Sequence, residues 1–80
     1  MTALKRGDWV RLEYKEQVIA AMVWLASGNS RSLMLGFDGV IDGHVSMMPV
    51  LMGNDGRYYS IVTGIEACVK PVPRDGSAEG

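Results

Sequence analysis

Few residues in this chain have the chemistry for catalysis. His44 is the single histidine and Cys68 the single cysteine. No spacing around His44 supplies the serine and the acid that nucleophilic hydrolysis needs. It follows Gly43 at the start of an apolar segment and reads as a solvated turn histidine. Asp38 and Asp42 each precede a glycine. A calcium loop would require a D-x-D-x-D-G run and a later glutamate, so these are expected to be turn residues. Gly36, Gly39 and Gly43 lack the following lysine of a phosphate-binding loop. One histidine and one cysteine do not make a structural zinc site. No catalytic residue, metal or cofactor is assigned.

Binding residues are better represented. Trp9 lies beside Arg11, and Arg57 beside Tyr58 and Tyr59, an arrangement on which nucleic-acid bases could stack. However, 8 basic residues interleave with 9 acidic ones for a net charge of −1, so nucleic acid is not the expected partner. The more informative feature is an excess of large apolar side chains. If strands alternate inward and outward, Trp9 lies opposite Val10 and Leu12, Met34 opposite Leu33 and Leu35, and one face of residues 18–26 opposite the other. The pairs Met47/Met48 and Tyr58/Tyr59 each put one member outside. A small barrel has one interior, so these residues need cover from a partner, a helix or the N-terminal arm. Tryptophan, tyrosine and methionine are enriched at interface cores. The candidate binding residues are therefore Trp9, Trp24, Met34, Met48, Tyr58 and Tyr59. The expected partner is a second copy of the chain, in a dimer or higher homo-oligomer, with a protein or small-molecule ligand as a further possibility.

Short alternating segments would position these residues. Val10, Leu12 and Tyr14 share one face of the first, and Lys15-Glu16 forms the turn after it. Residues 17–26 are apolar all round; Val18, Ile19, Val23 and Trp24 favour a strand there over a helix. Leu33, Leu35 and Phe37 point inward from the next segment, and Val40-Ile41, between two Asp-Gly pairs, is expected in a loop. Residues 44–52 form a strand that Pro49 confines to an edge or a bulge. Gly53-Asn54-Asp55-Gly56 is a hairpin turn with residues 57–62 as its return strand. Ile65, Ala67 and Val69 point inward from the last strand. Cys68 is then either a partly exposed thiol on the Glu66–Lys70 face or a small buried hydrophobe. The fold class is all-β: five to six short antiparallel strands in a small closed or nearly closed SH3-like barrel.

At 80 residues and 8.7 kDa, with 48% hydrophobic residues, the chain is one domain with a modest core. Residues 1–72 are expected to form the barrel and 73–80 a mobile tail. The cysteine count excludes a disulfide staple, which leaves oligomerisation as the usual reinforcement. Met1–Arg6 has no signal-type apolar segment, and the longest apolar run is nine residues. A membrane helix needs about 20, so the expected location is the cytoplasm, away from membranes.

Gly7-Asp8-Trp9-Val10-Arg11 and Val45-Ser46-Met47-Met48-Pro49-Val50 resemble two segments of the plasmid- and integron-borne type II dihydrofolate reductases, G-D-x-V-R and V-Q-I-Y-P-V. The resemblance implies a small barrel that assembles around a shared pore, and a chain carried on a mobile gene cassette. Ser46 stands where the family has glutamine, and Met48 where it has tyrosine. Neither replaces the amide or the hydroxyl, so the resemblance does not extend to the reductase chemistry. The expected function is a non-enzymatic, self-associating binding module. Its rivals are a reductase-like enzyme that binds a nicotinamide cofactor and a nucleic-acid-binding barrel.

Overall fold

Alternation places Val10, Leu12 and Tyr14 on one side of the first strand, and in the computed structural model all three are fully buried. The structure describes residues 4–72; the proposed tail, 73–80, lies outside them. Six strands follow in order: β1 (Trp9–Tyr14), β2 (Gln17–Ala26), β3 (Ser32–Ile41), β4 (His44–Met52), β5 (Tyr58–Ser60) and β6 (Ala67–Pro71). They form one antiparallel sheet ordered β5-β4-β3-β2-β1-β6. None of the described residues is helical, so the all-apolar 17–26 run is a strand.

The sheet curls until its two ends approach. Between β5 and β6 the contact is a single bridge, Tyr59 with Glu66, plus the Ser60 amide donating to the Ile65 carbonyl at 2.9 Å. The barrel is thus nearly closed, with one unsealed seam. Two irregularities assist the curl. Trp24 is an extra residue between the Val23–Leu35 and Leu25–Met34 pairs, and Phe37, Asp38 and Gly39 lie opposite Ser46 alone.

The second irregularity corrects two expectations. Asp38-Gly39 is not a turn; Gly39, at φ +104°, forms part of the bulge. Val40 and Ile41 are therefore in β3, paired with Val45 and His44, and Ile41 is in the core. The turn falls at Asp42-Gly43, with φ of 48° and 83°, as a two-residue hairpin loop requires.

Beyond the Gly53–Gly56 turn the return strand stops at Ser60 rather than 62. The Ser60 hydroxyl accepts from the amides of Val62 (3.1 Å) and Thr63 (3.3 Å), which turns the chain away from the ladder. The Ile61 amide donates to the Pro49 carbonyl at 2.9 Å. The Pro49 nitrogen lies on that same side, at the end of the short β5, so its missing N–H interrupts little.

The core also contains Ala21, Val23, Leu33, Leu35, Phe37, Met48, Val50, Tyr58 and Ala67. Ile65 and Val69 pack against it partly buried, and Cys68 is half-buried.

Candidate functional site

Of the six candidate binding residues, two are in the core. Met48 is fully buried and Met47 is the exposed member of its pair. The parity is set by Val50, which pairs with Ser60 and points inward, so Met48 two residues earlier does the same. Tyr58 is buried too, and its hydroxyl donates to the Ser30 carbonyl. Ser30 in turn donates to the Leu4 carbonyl at 2.7 Å. Met48 and Tyr58 therefore hold the fold and offer nothing to a partner.

The other four lie on the outer surface in two groups. Trp9 and Trp24 flank one groove. Asp8 sets the start of β1: its carboxylate accepts from the Lys5 amide (3.0 Å) and its carbonyl from the Val23 amide (2.8 Å). Trp9 then sits opposite Met22, and Met22 opposite Gly36. The Trp24 indole lies against Gly36 so closely that a Cβ added there would be 1.9 Å from its Cε2. Glycine in mid-strand is what admits the ring. The groove has a volume of about 510 Å³ and is lined by Trp9, Ala20, Met22, Trp24 and Asp38, among others. Trp9 is 52% exposed and Trp24 40%.

Met34 and Tyr59 flank the second group. Val45, Met47 and Leu51 of β4 are all exposed. Met34 pairs with Pro49, and Tyr59 with Leu51. Leu25, exposed as well, pairs with Met34. The result is an uncharged stripe along β4. The Tyr59 hydroxyl is tied to Asp55 at 2.5 Å, which fixes the ring beside Leu51. Sequence reasoning missed Met22, Gly36 and Asp38 in the groove, and of the methionine pair it named Met48, which is the inward member. The mid-strand glycine was the one available signal for the groove.

A polar network fills one end of the barrel. His44 is 3% exposed, not a solvated turn residue. Its Nδ1 lies 2.7 Å from the Ile41 carbonyl and its Nε2 2.7 Å from the Ser60 hydroxyl. A serine–histidine contact of this length is what a nucleophile and its base would make. Ser60 is only 2% exposed, however, and its hydroxyl also accepts the Val62 and Thr63 amides, so the pair ties the start of β4 to the end of β5. Nearby, the Tyr14 hydroxyl donates to Asp42 at 2.6 Å and lies 2.7 Å from the Thr63 hydroxyl. Lys15 approaches the same carboxylate at 3.7 Å. A shallow cleft lined by Glu13, Lys15, Ile65, Glu66 and Cys68 lies on the β1–β6 side. Among the described residues no cluster of three or more metal-ligating side chains occurs.

These bonds shape the response to pH. The Tyr14 hydroxyl, with help from Lys15, holds Asp42 below the ordinary aspartate value of 3.8, and the Tyr59 hydroxyl does the same for Asp55. Burial raises Tyr14 above the ordinary tyrosine value of 10.0, reinforced by Asp42; burial also raises Tyr58, and the bond to Asp55 raises Tyr59. A lowered carboxylate contributes stability above the unfolded value and loses it as pH falls through the folded one. A raised tyrosine contributes stability below its unfolded value and loses it as pH climbs toward the folded one. The melting temperature should therefore fall below about pH 4 and above about pH 10. A melting temperature that keeps rising beyond pH 10 would contradict the tyrosine contacts.

No family model matches the chain, and no curated protein and no solved structure gives a match.

Proposed function

We propose that this protein is a non-enzymatic, self-associating binding module of the SH3-like small-barrel kind. The observation that carries the reading is the apolar outer surface: Met47 at 42% exposure, Leu51 at 49%, Leu25 at 59% and Val45 at 64%, with no charge among them. A two-fold contact sets identical residues near one another, and an uncharged stripe can meet its own copy without like-charge repulsion. A five-strand meander closed by β6 returning to β1 supports the SH3-like comparison. Burying half of a large apolar side chain is worth about 0.8–1.5 kcal/mol. Across both copies the four residues gain roughly 6–12 kcal/mol, against about 4–15 kcal/mol lost on association. A dimer with Kd about micromolar follows from the favourable end of those ranges.

Substituting Met47→Lys together with Leu51→Lys is the test. Both side chains are exposed, so circular dichroism and melting should change little. Light scattering should show the variant at monomer mass at concentrations where the parent chain pairs. Equal masses for parent and variant would remove β4 from the contact.

A further inference from the structure

The groove beside Trp9 differs from the β4 stripe in one respect: it carries a charge. Asp38 is the only charged residue lining it, and among the described residues no side chain bonds to its carboxylate. The rest of the lining is apolar or aromatic, with Met22 set between Trp9 and the Gly36 on which the Trp24 indole rests. Indole is the strongest of the side-chain π-systems for holding a cation, and here two of them retain open surface on one groove. The geometry points to a small methylated ammonium compound, of the choline type, as the occupant of the groove between Trp9 and Trp24. This names a ligand for the binding module proposed above and rests on that reading.

Three features select this class. A primary ammonium would find one accepting side chain, the Asp38 carboxylate, for its three N–H groups, since Ala20, Met22 and the indole faces supply none, whereas a methylated head has none or few to leave unpaired. The volume of about 510 Å³ falls within the range of about 300–1,000 Å³ typical of small-molecule sites, which leaves room for the methylated head and its substituent. Arg11, a like charge beside the groove, pairs with Ala20 across the strands and is held by Glu13 at 3.6 Å, so part of its repulsion is offset. The Phe37–Gly39 bulge brings Asp38 to the groove, and Gly36 lets Trp24 lie down beside it.

The experiment is a titration of the full chain with choline chloride, read by the indole N–H signals in NMR and by tryptophan fluorescence. Sodium chloride at equal ionic strength and 3,3-dimethyl-1-butanol, which has choline's shape without its charge, serve as comparisons. Choline should shift both indole signals saturably, and the neutral analogue should bind about tenfold more weakly. Asp38→Asn, at an exposed position, should weaken choline several-fold with the fold unchanged. Gly36→Ala should abolish the Trp24 shift by displacing the ring. Equal affinity for choline and its neutral analogue would overturn the cation assignment and leave an apolar binding surface standing. No response to either, in a chain that still self-associates, would overturn the ligand and spare the module. No response and no association would remove both. A trimethyl-lysine peptide that binds much more tightly than choline would overturn the small-molecule assignment.

Discussion

Replacing His44 with alanine is expected to destabilise the protein by about 3–5 kcal/mol. The Ile41 carbonyl can only accept, so Nδ1 carries the proton and Nε2 is left to accept from the Ser60 hydroxyl, both at 2.7 Å. Alanine leaves the Ile41 carbonyl without its imidazole donor and the Ser60 O–H without its acceptor in the interior, each costing about 1–3 kcal/mol. It also opens a cavity where the Tyr14 ring now meets the imidazole edge-on, with centroids 5.6 Å apart. An 80-residue domain has a total stability of only about 4–12 kcal/mol, so the loss is about a quarter of the total or more. Urea unfolding followed by circular dichroism reads this directly. A loss under about 1 kcal/mol would place His44 in solvent, as the sequence alone suggests.

The two adjacent methionines should behave oppositely. Met48→Ala is expected to cost about 2–5 kcal/mol, because the side chain is fully buried between β3 and β5. Met47→Ala, at 42% exposure, should stay within about 0.5 kcal/mol in the monomer. Its effect should appear instead in self-association, where the stripe loses one of its members. Chemical denaturation of both variants at low protein concentration separates the two contributions. If Met47→Ala were the more damaging, the register of β4 would be wrong by one residue, which would turn every side chain of the strand over.

Much of the barrel was legible because its signals are local. Alternation fixed Val10, Leu12, Tyr14, Leu33, Leu35 and Phe37 as core, and Asp42-Gly43 supplied the positive φ angles of a hairpin. The misreadings of Val40-Ile41 and of His44 share one physical origin. Asp38-Gly39 has the same composition as a turn but serves a bulge, because Val40 and Ile41 find partners on β4. That pairing is long-range and leaves no mark in the local pattern. It carries His44 inward. It also sets three residues against Ser46, itself at φ +62°, so simple alternation fails between His44 and Met48. The candidate site was half legible for a related reason. The outward direction of Trp9 follows from β1 alone, but the resting place of Trp24 depends on Gly36 across the strand pair and on an extra residue in β2. Asp38 joins the groove only through the bulge that hid it.

The outer surface of this barrel is proposed as a contact surface for a second copy. Sedimentation equilibrium of the unmodified chain, from low to high micromolar concentration, tests it most directly. The chain has a mass of 8.7 kDa, and the average mass should climb toward twice that value across the series. A single ideal species at 8.7 kDa throughout would contradict it, and the exposed Val45, Met47 and Leu51 would then have no partner of their own kind.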